Sequence, residues 1–240
     1  MQQFVQFPKI RPPLPEEYQR IYNEEYLANR HGKRLANKIA CYLEGWMHRR
    51  IASAAQQPGE DILEIGAGTL NHLAWEKQYQ NYDIVEPARF LIRSSAQKSL
   101  LRKVYDSLQE IEAIPQFDRI VSIAVLEHMT DLPTEVARAA LLLKNEGLFC
   151  AGVPSKGSLL WYLAWKYGTG TAFRLRTGLD YSIVMRHEHL NSLEEVEQVV
   201  HWFFKDVKTY RFPLRFLHLS LYTVFLAKGV HRERCVAQLG

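Results

Sequence analysis

The spacing of apolar and polar positions changes character along the chain. Residues 8–15 (PKIRPPLP) carry four prolines and read as extended, because proline fixes φ and lacks an N–H donor. From Glu16 to about Ala55 there is no proline. Apolar residues there recur at helical spacing, first Tyr18, Ile21 and Tyr22, then Leu35, Ile39, Leu43, Met47 and Ile51. The pattern predicts two helices, broken near His31-Gly32 and closed off by Pro58-Gly59.

Beyond that point short apolar runs alternate with amphipathic segments. DILEIGA (61–67) reads as a strand, Leu70 to about Tyr79 as a helix and YDIVEP (82–87) as a second strand. A helix over 88–98, a third strand at LRKVYD (101–106) and a fourth at RIVSIAVL (119–126) follow. A helix over 133–144 then leads to a fifth strand, GLFCAGVP (147–154). Strands separated by helices of about ten residues imply βαβ units and a parallel sheet covered on both faces. The end of the chain departs from this rhythm. Leu193–Phe204 reads as a helix with Asn191 or Ser192 as N-cap and Glu194–Glu195 in its first turn. KDVKTYRF (205–212) and SLYTVFLAK (220–228) then follow as two strands with no helix between them, so they pair antiparallel. The fold class is α/β.

Composition narrows the partners. The 240 residues, 47% hydrophobic and 23% charged, suit one large domain: an extended and helical N-terminal arm (1–57) before an α/β domain (58–240). The net charge is +4 and the basic residues are spread along the chain, so no nucleic-acid partner is expected. Cys41, Cys150 and Cys235 are far apart and form no C-x-x-C pair, which argues against a disulfide framework or a zinc site. The N-terminus does not read as a signal peptide, and no apolar run approaches the ~20 residues of a membrane span. A cytoplasmic protein is expected.

The stretch Asp61-Ile-Leu-Glu-Ile-Gly-Ala-Gly-Thr69 carries the chemistry. A strand delivers Glu64, and Gly66 and Gly68 permit a tight turn that a ligand can approach closely. Glu86 stands 22 residues after Glu64 at the end of the next strand, where an acid can accept from two ribose hydroxyls. The position of a third glycine is Leu70, which would crowd a pyrophosphate, and Glu64 would repel one. A positively charged, phosphate-free nucleoside cofactor fits better than a dinucleotide.

Together, EIGAG, the acid of IVEP, the segment FDRIVSIAVLEHM and the closing hairpin resemble the class I S-adenosylmethionine (SAM)-dependent methyltransferases. The likeness is nearest to the small-molecule group that includes ubiquinone- and menaquinone-biosynthesis-like enzymes, and it covers roughly residues 58–228. It implies a Rossmann-like seven-stranded sheet whose last strand is antiparallel, with SAM as cofactor. It places Glu64, Gly66, Ala67 and Gly68 at the methionine end, and Glu86 with Pro87 at the ribose. Asp106 and Ser107 would meet the adenine, with Ala124 and Val125 under the cofactor. Leu70 departs from the glycine common in the family.

Methyl transfer needs the acceptor atom held in line and water kept out; a hydroxyl acceptor also needs a base. His128, just after the fourth strand in LEHM, is the candidate base, with positioning of its loop as the alternative. The long insert at about 155–190 supplies a candidate acceptor wall from Trp161, Tyr162, Trp165 and Tyr167. Arg174 and Arg176 would face an anionic acceptor, and His187 lies in the same insert. The insert reads alternatively as a homodimer contact or as a helix packed on the core. His187 and His189 make a dyad without a third ligand, so no metal site is expected. Tyr18, Tyr22 and Tyr26 could cap the cofactor as a lid, with core packing the expected role of at least one. The expected function is methylation of a small molecule or glycan precursor, with oxygen slightly favoured. An NAD-dependent Rossmann-fold oxidoreductase and a non-catalytic binding module of the same fold are the alternatives.

Overall fold

The structure, a computed structural model, describes residues 4–21, 35–93 and 95–240, with the side chains of the first long helix described from position 43 onward. The expected break near His31-Gly32 lies outside the described residues. Helix appears on both sides of it, over 16–21 and over Leu35–Ala52 (α1).

Seven strands form one sheet: β1 (Glu60–Ile65), β2 (Tyr79–Val85), β3 (Lys103–Tyr105), β4 (Phe117–Ile123), β5 (Leu143–Pro154), β6 (Phe204–Pro213) and β7 (Ser220–Val230). Their order is β3-β2-β1-β4-β5-β7-β6. The first five are parallel, and β7 runs antiparallel between β5 and β6. Alternating strand residues sort onto two buried faces. Leu63, Ile65, Ile120 and Phe149 face the helices Leu132–Leu142 (α2) and Leu193–Phe203 (α3), through Val136, Val196 and Phe203. Ile62, Ile84, Val121 and Cys150 face α1, through Met47 and Ile51.

Two expected helices are shorter than their sequence pattern suggests. Between β1 and β2 there is only a single 3-10 turn, Leu73–Trp75, in place of a helix over Leu70–Tyr79. Leu70 adopts a left-handed φ of 67°, and His72 and Glu76 are drawn inward by buried polar partners, so the segment spends its short length on turns. The segment expected as a helix over 88–98 is one turn, Phe90–Arg93, followed by a 3-10 stretch, Ala96–Leu100, that Ser95 caps by accepting from Gln97 N. At the other end of the chain Ser192, not Asn191, caps α3. It forms a capping box with Glu195, the local signal that makes this boundary legible.

Candidate active site

Parallel register aligns the carboxyl ends of the first four strands. Ile65 pairs with Val85 and Ser122, and Val85 pairs with Tyr105. The residues that directly follow these strands are therefore neighbours along one sheet edge: Gly66, Glu86, Asp106 and Ala124. The sheet order reverses between β1 and β4, which is where open α/β sheets hold their ligands.

The turn after β1 is tight. Gly66 takes φ 71° and donates its N–H to Val85 O at 2.8 Å, and a Cβ there would stand 2.4 Å from a Val125 methyl. Gly68 (φ 54°) donates to Glu86 Oε2 at 2.7 Å, and Ala88 N donates to Glu86 Oε1 at 2.8 Å. A carboxylate has about four acceptor sites, so Glu86 can hold this turn and still accept from two ribose hydroxyls. Ala67 is buried beside it. Ala124, also left-handed at φ 54°, donates its N–H to Gly152 O and sets Val125 against Gly66. Asp106 is exposed and pairs with Arg89 Nε at 2.5 Å, and Ser107 opens the 3-10 turn Leu108–Glu110.

Glu64 is buried and accepts from the Tyr82 hydroxyl at 2.8 Å. Burial pushes its carboxyl up to about 7, with His72 and the Tyr82 hydrogen bond pulling the other way. Beneath it runs a buried chain that the sequence reading missed. His48 Nδ1 lies 3.2 Å from His72 Nδ1, and His72 Nε2 lies 2.8 Å from Glu76 Oε1. Arg119 donates twice to Glu76 (2.9 and 2.6 Å) and once to Glu60 (2.7 Å). Burial alone would raise Glu76, but His72 and Arg119 outweigh it and hold it below the usual carboxylate range. The available signal was an arginine at the inward-facing start of an apolar strand. The acid and glycines thus suit a cationic nucleoside, and the bottom of the site is braced by ion pairs.

His128 sits on the 3-10 turn Leu126–His128 just after β4. Its Nδ1 lies 2.7 Å from Glu188 O. A carbonyl can only accept, so Nδ1 carries a hydrogen, and in the neutral ring Nε2 is the acceptor. Nε2 is 3.6 Å from Glu127 Oε1. Glu127 is buried, its Oε2 has no hydrogen-bond partner among the described residues, and desolvation raises its pKa. Asn191 clamps this turn, donating from Nδ2 to Leu126 O and Met129 O at 2.8 Å each.

Aromatic rings lead outward from His128. Its ring meets His189 edge-on at 4.9 Å, His189 lies 5.7 Å from Trp161, and Trp161 lies 6.1 Å from Trp165. Burial lowers His189 to about 3, so its ring is neutral. The other acceptor candidates are not gathered here. Arg174 is exposed on the helix Thr171–Thr177, and the His187 ring is turned to the arm, with Nδ1 2.7 Å from Pro12 O. Tyr22 and Tyr26 lie outside the described residues. Tyr18 is buried in a small cluster with Leu14, Phe173 and Val184, and its hydroxyl accepts from Asp180 N, so it packs as core. The arm itself crosses the rim. Arg11 donates to His187 O (2.5 Å) and His128 O (2.6 Å), and Lys9 donates to Leu190 O (3.0 Å) and pairs with Glu195 (2.5 Å). Neither cation was singled out from the sequence, where both look like solvated residues between prolines.

Comparison with known proteins gives the family and the fold. The sequence matches the family described as a methyltransferase domain over residues 35–201, and the chain belongs to that family. It is a SAM-dependent methyltransferase of the class I fold. Among solved structures it is similar to a SAM-dependent methyltransferase of Thermotoga maritima, described as a possible histamine N-methyltransferase. There the identity is 14% and the TM-score 0.57, covering 89% of this chain and 97% of that one. It is also similar to the Burkholderia thailandensis 1,6-didemethyltoxoflavin-N1-methyltransferase, solved with bound 1,6-didemethyltoxoflavin and S-adenosylhomocysteine. The identity is 17% and the TM-score 0.57, covering 92% and 93%. A third is the N-methyltransferase NodS of Bradyrhizobium japonicum with S-adenosylhomocysteine, at 13% identity, TM-score 0.56 and coverage of 89% and 99%. No match was found among curated protein sequences. Among the described residues no helix is long and apolar enough to cross a membrane.

Proposed function

We propose that this chain methylates a hydroxyl of a small molecule or glycan precursor, with His128 as general base. The observation that carries this reading is the 2.7 Å contact between His128 Nδ1 and Glu188 O, which leaves Nε2 as the proton-accepting atom. When bound, SAM supplies an electrophilic methyl group on a sulfonium leaving group. The chain's own residues do the rest. Glu64, Gly66, Ala67 and Gly68 cradle the methionine end, and Glu86 with Pro87 grips the ribose. Asp106 and Ser107 border the adenine, and Ala124 and Val125 form the floor. Trp161 and Trp165 wall the acceptor side, and the arm over 8–15 closes the rim through Lys9 and Arg11. Uptake of the acceptor hydroxyl's proton at Nε2 makes an imidazolium that the Glu127 carboxyl group, 3.6 Å away, stabilises when ionised.

An amine acceptor is the second reading, because similar solved structures include N-methyltransferases and an amine needs less help than a hydroxyl in losing its proton. Radiolabelled methyl transfer into extracts of the source organism identifies the acceptor, and His128→Ala then separates the readings. For a hydroxyl acceptor the variant loses about 100-fold or more in kcat with SAM affinity retained. Activity within a few-fold of wild type would eliminate the base.

A further inference from the structure

Tyr82 lies in the middle of β2 and is fully buried. Its ring belongs to the core cluster of Met47, Ile62 and Ile84, and it meets Tyr79 edge-on at 5.3 Å. A buried phenol needs a partner for its hydroxyl. Glu64 supplies it, accepting through Oε2 at 2.8 Å. The register explains the pairing. Glu64 of β1 stands opposite Ile84, two residues after Tyr82, so the acid and the phenol are diagonal neighbours on one face of the sheet. Burial and the neighbouring Glu64 push the Tyr82 hydroxyl well above its ordinary range, so it keeps its proton and is the donor.

Glu64 is 3% exposed, and among the described residues Tyr82 is the side chain that hydrogen-bonds it. The bond engages Oε2 and leaves Oε1 for a ligand. Other charged groups act on Glu64 through space. His72 favours its ionised form, while Glu76 and Glu86 oppose it. Those groups set how readily the carboxyl ionises, but none of them fixes its direction. A glutamate side chain turns about three bonds, and a ligand that had to order it would bind more weakly. A hydroxyl carried on a rigid ring, on a central strand, removes that freedom before the ligand arrives.

We propose that Tyr82 is a positioning residue for the cofactor: its hydroxyl holds Glu64 Oε2 so that Oε1 meets the ammonium group of the methionine end. This rests on the assignment of Glu64 to that end under Proposed function. The test is calorimetric titration of the full chain and of Tyr82→Phe, Glu64→Gln and the double variant. The ligands are SAM, S-adenosylhomocysteine and 5′-methylthioadenosine, of which the last has no ammonium group. Tyr82→Phe should bind the first two about tenfold more weakly and methylthioadenosine as wild type does. Its rise in SAM affinity with pH should also move to higher pH, because the ionised carboxyl has lost a donor. Adding Tyr82→Phe to Glu64→Gln should weaken SAM little further. Equal weakening of all three ligands would mean a merely structural role and would overturn the proposal. So would an unchanged affinity and pH profile in Tyr82→Phe while Glu64→Gln binds SAM weakly. If Glu64→Gln binds SAM as wild type does at every pH, the assignment of Glu64 fails first and the proposal fails with it.

Discussion

Gly66 and Val125 compete for one volume, and the turn after β1 exists because the residue at 66 has no side chain. A methyl group at 66 would meet Val125 at 2.4 Å on a backbone already at φ 71°. Gly66→Ala should therefore cost about 1–3 kcal/mol of stability and weaken SAM binding at least ~10-fold. Adding Val125→Ala should recover part of the loss, because the steric half of the problem is then removed. Denaturant titration of the three variants checks the order. Glu64 offers a prediction in pH. Its pKa in the folded protein is about 7 and its ordinary value 4.5. The stability it contributes is thus full below 4.5 and lost as pH rises through 7. Glu64→Gln should raise the melting temperature of the ligand-free protein at pH 8 and change it little at pH 5. SAM is cationic and favours the ionised acid, so wild-type affinity should rise with pH through 7, by up to ~10-fold per unit below it. Calorimetry on the variant should find that slope gone.

Elements were legible where local rules act alone and obscure where distant partners decide. Ser192 and Glu195 sit three residues apart before an apolar run, and the capping box they imply is present. The two strands of the terminal hairpin follow one another with no helix between them, and β6 pairs antiparallel with β7 as expected. The segment after Leu70 failed for the opposite reason. Its apolar spacing suits a helix, but Arg119, 43 positions from Glu76, pulls that acid into the core. No local pattern announces such a contact. The same network carries a stability prediction. Arg119→Met leaves Glu60 and Glu76 buried without their cation and should cost about 3–5 kcal/mol. Combining it with Glu60→Gln and Glu76→Gln should return part of that loss, as read from chemical denaturation midpoints.

At the scale of the whole molecule, the carboxyl edge of the sheet converts sequence spacing into a site. Gly66, Glu86, Asp106 and Ala124 are far apart in the chain, and each follows the end of a different parallel strand. That is why the residues proposed for the cofactor side lie along one edge although their motifs are far apart in the chain. The surroundings of His128 were not legible in the same way, because they are built from single residues of unrelated segments. Glu127, His189 and Asn191 converge on His128, while Arg174 and His187, chosen for their chemistry, are placed elsewhere. The most direct measurement is calorimetric titration of SAM, S-adenosylhomocysteine and NAD into the wild-type chain and Glu86→Ala. One SAM should bind per wild-type chain, NAD should not bind, and the variant should lose ~10-fold or more in SAM affinity with its fold intact. Equal SAM affinity in the two proteins, or binding of NAD instead, would contradict the site described above.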